Sequence, residues 1–363
     1  MPATYWPLGN CTALRRALVR WYERHQRDLP WRQKPVDPYR ILVSEAMLQQ
    51  TQVATVIAYF QQFMKRFPNI RSLAEANEQE VLSVWQGLGY YRRACHLHAA
   101  AKLVQDRHGG RIPDTRNELL ELPGVGRYSA GAIASIAFDR REPILDGNVA
   151  RVLARVLAIA SPIDDAKVQR HLWDVADRLV PRASPGRFNQ ALMELGATVC
   201  TPRSPTCPRC PITRWCEAAR AGSADRLPRR RPRRAPRRVT HHVVAVTRQG
   251  RFVFERRPSA GLWSNMWQMP TAEQLAGQVT ARTLQDWAME HLDFPISPPS
   301  RRHRFEHQTT HRTITFVLWL AHPARSGCRL SLQHRQWRPL HDVADLPLAN
   351  PQRRVITLLG EKS

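Results

Sequence analysis

Leu119-Leu120-Glu121-Leu122-Pro123-Gly124-Val125-Gly126-Arg127-Tyr128-Ser129-Ala130 is the stretch on which the fold of this chain turns. A Pro-Gly turn with a second glycine stands between two segments of helical apolar spacing. Two glycines let the backbone turn tightly and approach a ligand closely. Amide N–H groups at the start of the next helix can then hold a phosphate. Pro-Gly turns between helices are common, so the surroundings decide what this one does. In a helix-hairpin-helix setting, Leu122, Gly124, Val125 and Gly126 would contact DNA through the backbone, which positions a protein without reading sequence.

Those surroundings are helical. From Val53, the residues Val56, Ile57, Phe60, Phe63, Met64 and Phe67 recur at helical spacing until Pro68. Glu78–Trp85, Arg92–His108, Tyr128–Phe138, Val149–Ile159, Ala166–Leu179 and Asn189–Ala197 follow the same period, and no strand-period segment interrupts them. Residues 1–222 therefore read as an all-α domain. Residues 223–240 hold eight Arg and three Pro with almost nothing apolar, and read as a solvated interdomain linker, or a strap along DNA phosphates. From 241 to 363 the period changes. His242–Thr247 and Phe252–Glu255 read as strands joined at Gln249-Gly250, Ala281–Leu292 as an amphipathic helix, and Thr313–Ala321 and Arg335–Leu340 as further strands. The chain is thus multi-domain, an all-α part followed by an α+β part.

Composition narrows the partners. The 363 residues carry 55 Lys+Arg against 30 Asp+Glu, a formal charge of +25, and 43% are hydrophobic. That hydrophobic share excludes chain-wide disorder, and the charge points to a polyanion: nucleic acid or an anionic membrane. No apolar run approaches the ~18–20 residues of a spanning helix, and Met1–Asn10 lacks the basic and apolar regions of a secretory leader. No membrane role is expected.

Four of the seven cysteines fall in Cys200-x6-Cys207-x2-Cys210-x5-Cys216. Four thiolates in so short a loop suit one metal cluster or one tetrahedral ion, not a disulfide framework, and imply a reducing compartment. Zinc ribbons pair two Cys-x2-Cys knuckles, and here there is one with outlying partners. That favours a [4Fe–4S] cluster over zinc, with a structural rather than redox role.

Two carboxylates stand out. Glu45 is the sole ionisable residue in Ile41-Leu42-Val43-Ser44-Glu45-Ala46-Met47-Leu48, where desolvation would favour its protonated form, as a general acid needs. Asp146, ahead of Gly147-Asn148 and a helix from Val149, reads equally as an N-cap and as a catalytic carboxylate. An acid with a second carboxylate suits cleavage through a cation-like sugar transition state.

With the hairpin, the run Val-Ser-Glu-Ala-Met-Leu-Gln-Gln-Thr at 43–51, Leu145-Asp146-Gly147-Asn148 and the cysteine loop together, the chain resembles the endonuclease III superfamily, and within it the MutY-type adenine DNA glycosylases. The resemblance is dense from about Trp21 to Cys216 and looser from His241 to about Pro351. It implies a helix-hairpin-helix glycosylase domain with an iron–sulfur loop, then a Nudix-like lesion-recognition domain. Bifunctional members carry a Schiff-base Lys after the hairpin, where this chain has Tyr128. A monofunctional glycosylase with little lyase activity is expected, removing adenine opposite 8-oxoguanine or guanine.

The resemblance also implies site roles. Glu45 would protonate N7 of a flipped adenine and Asp146 stabilise the charge on the sugar, with Tyr128 and Asn148 completing the pocket. Arg27 and Trp31 would line it, and Gln190 would read the adenine edge. Gln50, Thr51, Leu88 and Tyr90 would wedge into the duplex. Phe305-Glu306-His307 fits the lesion-reading frame Phe-Ser-His but puts Glu306 where a hydroxyl is expected, and a register through Thr310-His311 stays open. After Gly261-Leu262-Trp263, Trp267 and Pro270, no Glu-rich Mg²⁺ helix follows, so the second domain is expected to bind without hydrolysis. Double-stranded DNA, a monomer and a cytoplasmic, nucleoid-associated setting follow. The alternatives are a glycosylase for T or U opposite G, and a non-catalytic DNA-lesion binder.

Overall fold

The computed structural model describes residues 11–232, 235–273, 275, 278–325, 328, 330 and 334–361. Backbone contacts divide the chain into two units, Met1–Glu75 with His96–Pro232, and Ala76–Cys95 with Arg233–Ser363.

The first unit is helical: α1 Thr12–His25, α2 Pro38–Leu48, α3 Val53–Arg66, α4 Ile70–Glu75, then, after α5 Glu78–Val84, which belongs to the second unit, α6 Arg92–His108, α7 Arg116–Glu121, α8 Arg127–Phe138, α9 Gly147–Val156, α10 Ala166–Leu179, α11 Pro185–Thr198 and the short α12 Glu217–Arg220. Local chemistry sets the starts. Asp37 caps α2 through Tyr39 N–H with Pro38 at the first helical position, Thr115 caps α7 through Glu118 N–H, and Asp165 caps α10 through Lys167 N–H. One core gathers Leu14, Leu18 and Trp21 of α1 with Val152 and Val156 of α9, Leu172 and Val175 of α10 and Phe188, Leu192 and Leu195 of α11. The cysteine loop packs against it, with Cys200, Cys210 and Cys216 at its edge.

The expected linker is shorter than its composition suggested. Ala224 and Leu227 join Ala218 in a small buried cluster, Ile163 N–H donates to the Arg229 carbonyl at 2.8 Å, and Arg231 pairs with Asp165 at 2.8 Å. One leucine and a few backbone acceptors thus fasten the start of the Arg/Pro stretch to the helices, and Arg237–Thr240 already belong to the first strand.

The second unit holds a mixed sheet: β1 Arg237–Arg248, β2 Arg251–Arg256, β3 Trp267–Gln268, β4 Thr271–Ala272, β5 Ser300–Gln308, β6 Arg312–Ala321 and β7 Arg335–Pro339, with α13 Ala281–Leu292 and α14 Asn350–Gly360. The strand path is β3-β2-β1-β6-β5, with β4 on β1 and β7 on β2, and β1–β6 is parallel. The β1–β2 turn uses left-handed Gln249 and Gly250, φ +50° and +73°, as a twisted hairpin needs. Val243 and Ala245 of β1 face a core shared with Phe305, Phe316 and Val355. Val244 and Val246 face a second core with Leu284, Ala288 and Leu292 of α13. Helices on both faces explain why this strand reads as a continuous apolar run. No helix among the described residues is long and apolar enough to cross a membrane.

β5 is where structure and sequence part. Phe305, Glu306 and His307 do not form a loop: they pair in register with Phe316, Thr315 and Ile314. Phe305 is buried and stacks on Phe316 at 5.1 Å, which two-residue alternation along a strand requires of one apolar residue between charged neighbours. The turn falls at Thr309–His311, where Thr309 N–H donates to the Arg312 carbonyl at 2.8 Å, so the register through Thr310-His311 is the one at a hairpin tip.

Candidate active site

The middle of α2 places Glu45 inside the helical unit. It is 7% exposed, and burial pushes its carboxyl up to about 7, against a lowering hydrogen bond from Tyr128 and with a further rise from the Asp146 charge. A glutamic acid so placed keeps its proton near neutral pH, as donation to a leaving base requires. The hydroxyl of Tyr128, in the first turn of α8, also lies 3.3 Å from the Met193 sulfur, and burial raises it well above the usual phenol range. It holds Glu45 and offers no amine.

Of the two readings of Asp146, the structure shows the cap directly. Its Oδ1 accepts from Val149 N–H at 2.7 Å as the N-cap of α9, while Oδ2 accepts from Asn148 Nδ2 at 3.0 Å. Burial raises its carboxyl too, opposed by those hydrogen bonds and by the Arg151 charge. A carboxylate at a helix start, with donors on both oxygens, is ready to face a developing cation.

Asn148 is fixed in turn by Arg151, which sequence reading passed over. Arg151 donates to Asn148 Oδ1 at 2.8 Å, to the Gly196 carbonyl at 2.8 Å and, through Nε, to the Cys200 carbonyl at 2.8 Å. Gly196 is needed here: a Cβ would sit 2.7 Å from the Asn148 Cβ. One turn on, Arg155 is almost wholly buried. It donates to Cys200 Sγ at 3.2 Å, the Thr201 carbonyl at 2.7 Å and the Leu227 carbonyl at 2.9 Å. Their i, i+4 spacing on a helix of strong apolar periodicity was the available signal.

Glu194 of α11 is the other omission. It is fully buried and takes Arg27 at 2.6 and 3.1 Å and Arg32 at 2.8 Å. Burial alone would raise its carboxyl, but hydrogen bonds and charge from both arginines hold it below the ordinary range. Arg27 is thus committed to Glu194. Trp31 and Gln190 line a cavity of about 690 Å³ with Tyr22 and Arg32, and Tyr22 hydroxyl donates to Gln190 Oε1 at 3.2 Å. Trp31 also stands edge-on to Phe60 at 5.3 Å.

The hairpin lies between α7 and α8. Gly124 has φ +79°, and a Cβ there would meet the His96 Cβ at 2.7 Å. Leu122 buries its side chain, Gly124 and Gly126 are exposed, and Gly126 stands at the N-cap of α8 without a side-chain cap. Gln49 Nε2 reaches the Gly124 carbonyl at 3.5 Å, beside exposed, left-handed Gln50 (φ +58°) and half-buried Thr51.

In the second unit, Leu88 is buried and Tyr90 is 48% exposed. Tyr90 hydroxyl lies 3.1 Å from Thr310 Oγ1 at the β5–β6 tip. His307 rests beside Trp263 at 5.9 Å between ring centres. Glu255 is buried under His291 at 2.7 Å, Arg335 at 3.3 Å and Gln268 at 3.3 Å.

Cys200, Cys207, Cys210 and Cys216 are half-buried free thiols. Burial pushes the Cys210 thiol up to about 12, with added repulsion from the other three. Among the described residues, no set of three or more His, Cys, Asp or Glu could hold a metal ion as placed.

A buried acid, a carboxylate poised at a helix start and an open hairpin define a helix-hairpin-helix base-excision enzyme. Residues 43–178 match the HhH-GPD superfamily base excision DNA repair protein family, and residues 242–358 the NUDIX domain family. A rat adenine DNA glycosylase is 35% identical over 98% of this chain and 79% of its own length. One from Buchnera aphidicola of Schizaphis graminum is 30% identical over 94% and 97%. The solved structure of a thermostable thymine-DNA glycosylase matches 57% of this chain and 95% of its own, at 28% identity and a TM-score of 0.52. The chain belongs to the adenine DNA glycosylase family.

Proposed function

We propose that this protein is a monofunctional glycosylase that hydrolyses adenine from duplex DNA where it faces 8-oxoguanine or guanine, and so prevents G:C pairs from becoming T:A. The observation that carries the reading is the buried Glu45, raised to about 7 beside Tyr128 and Asp146. The adenine must leave the stack before a pocket can enclose it. Glu45 gives its proton to N7, the bond from C1′ to N9 breaks, and its electron pair goes to the departing base. Asp146, held by Val149 and Asn148, stabilises the sugar cation. Water adds to C1′ and its lost proton returns Glu45 to the acid form. Tyr128 supplies no amine for a Schiff base, so the backbone stays uncut.

Trp31 and Gln190 are the pocket residues of this reading, with Arg27 acting through Glu194. Gly124, Val125, Gly126 and the Leu122 backbone present the start of α8 to phosphate, and Gln50, Thr51, Leu88 and Tyr90 engage the opened duplex. Thr310 at the hairpin tip, rather than Glu306 in β5, takes the hydroxyl role toward the lesion.

The four cysteines would hold one [4Fe–4S] cluster of structural role. Four half-buried thiols, one accepting from the Arg155 guanidinium, suit thiolate ligands. The protein would act as a monomer in a reducing compartment that holds DNA.

Duplexes with A opposite 8-oxoguanine, A opposite G and T opposite G, incubated with and without alkali, test the reading. Alkali-dependent strand breaks at the two adenine duplexes are expected. Excision of T alone, or breaks without alkali, would overturn it.

A further inference from the structure

The Tyr90 loop belongs to the second unit, and two amide side chains fasten it there. Gln79 Oε1 accepts from Trp267 Nε1 at 2.9 Å, and Gln79 Nε2 donates to the Asn265 carbonyl at 3.0 Å. Gln86 Oε1 accepts from the Leu348 backbone N–H at 2.9 Å. Trp267 N–H donates to the Pro347 carbonyl at 2.9 Å and Trp267 bridges Leu348, so both glutamines grip one platform on the sheet. Gln79 lies in the first turn of α5 and Gln86 in the turn that follows it, and their seven-residue separation, about two helical turns, brings them to one side.

The loop beyond Gln86 is set by its own contacts. Trp85, fully buried, donates Nε1 to the Gly89 carbonyl at 3.1 Å, and Arg93 donates to the same carbonyl at 3.1 Å. The Arg93 guanidinium lies 5.4 Å from the Trp85 ring and 5.3 Å from the Tyr90 ring. Tyr90, with φ +50°, is held in a backbone conformation that side chains other than glycine rarely adopt. Tyr90 therefore follows Trp85, Trp85 follows α5, and α5 follows the platform at Trp267 and Leu348. The Thr310 tip belongs to the same sheet unit.

We propose that Gln79 and Gln86 are positioning residues that make the Tyr90 loop and the Thr310 hairpin one piece, so that the identity of the base opposite adenine is sensed by both at a fixed spacing. This rests on the proposed reading of the Thr310 tip. Neither glutamine touches substrate, and both act through Trp85 and Tyr90.

The test is the double variant Gln79→Met, Gln86→Met, which keeps side-chain length and removes the polar ends, beside Gln79→Glu, Gln86→Glu, which retains an acceptor for Trp267 Nε1 and Leu348 N–H. Single-turnover excision is measured on A opposite 8-oxoguanine and A opposite G, and hydrogen exchange is followed at residues 86–91. The Met pair is expected to lose exchange protection there and to lower the 8-oxoguanine-to-guanine rate ratio roughly tenfold, about what one or two hydrogen bonds hold in place. The Glu pair should recover most of the ratio. Equal loss on both duplexes, or an unchanged ratio despite lost protection, would overturn the positioning role. A wild-type protein indifferent to the opposite base would instead sink the reading of the Thr310 tip, and this inference with it.

Discussion

Arg151 ties Asn148 to Cys200: one guanidinium donates to the asparagine side-chain oxygen and to the cysteine carbonyl, each at 2.8 Å. Because Asn148 in turn donates to Asp146, the carboxylate assigned above to the sugar cation is oriented from the cysteine loop. Arg151→Met should lower excision by about 10–100-fold through misplacement of Asp146. It should also cost about 1–3 kcal/mol for the carbonyl groups left unpaired. Single-turnover rates and thermal unfolding would separate the two effects.

Glu45→Gln should abolish excision while duplex affinity, measured by mobility shift, stays within a few-fold. The wild-type rate should be flat below about pH 7 and fall about tenfold per pH unit above it, because the acid form is the donor. Stability moves with the same proton. The folded carboxyl binds it more tightly than the unfolded one, so its contribution is full below the ordinary carboxylate range and lost as pH rises through about 7. Glu45→Gln should therefore be more stable than wild type at pH 8, by on the order of 3 kcal/mol, with the difference vanishing below about pH 4.

Asp146→Asn separates capping from catalysis. Asparagine caps a helix about as well as aspartate, so the melting midpoint should change by less than about 1 kcal/mol in equivalent stability. Excision should fall on the order of a thousandfold, since no anion then faces the sugar cation. A large loss of stability with activity retained would reverse the two roles.

Glu194→Ala leaves two cations without their carboxylate. Unfolding should cost about 2–4 kcal/mol less, the smaller figure reflecting that Arg27 is 36% exposed and can reach water. Adding Arg27→Met should recover part of the loss, as a denaturant titration of both variants would show.

Much of the fold was legible because short-range signals agree with it. The spans Arg92–His108, Ala166–Leu179 and Ala281–Leu292 end where apolar period and caps say they should. Asp146 was legible as a cap for the same reason. The charged residues that build the site from behind were not. Arg151, Arg155 and Glu194 look like solvated helix faces until α9, α11 and the cysteine loop enclose them. The Phe305 frame, a tripeptide match, carries no register of its own. Only pairing of β5 with β6 shows that Phe305 points inward, with Thr309 closing the turn onto Arg312 and Thr310 at its tip. Residues 76–95 fall in the second unit, where Gln79 and Gln86 meet partners nearly 200 or more positions away, which no local window contains.

The Leu227 carbonyl on Arg155 dictates where the chain can be cut. A shortened protein ending at Ala221 would strip that acceptor, along with the Arg229 carbonyl taken by Ile163, and leave a buried guanidinium facing solvent beside Cys200. One ending after Pro232 keeps both. Neither truncation would keep Trp267 and Leu348 beneath α5, so a catalytic half prepared alone would carry its Tyr90 loop without its mooring.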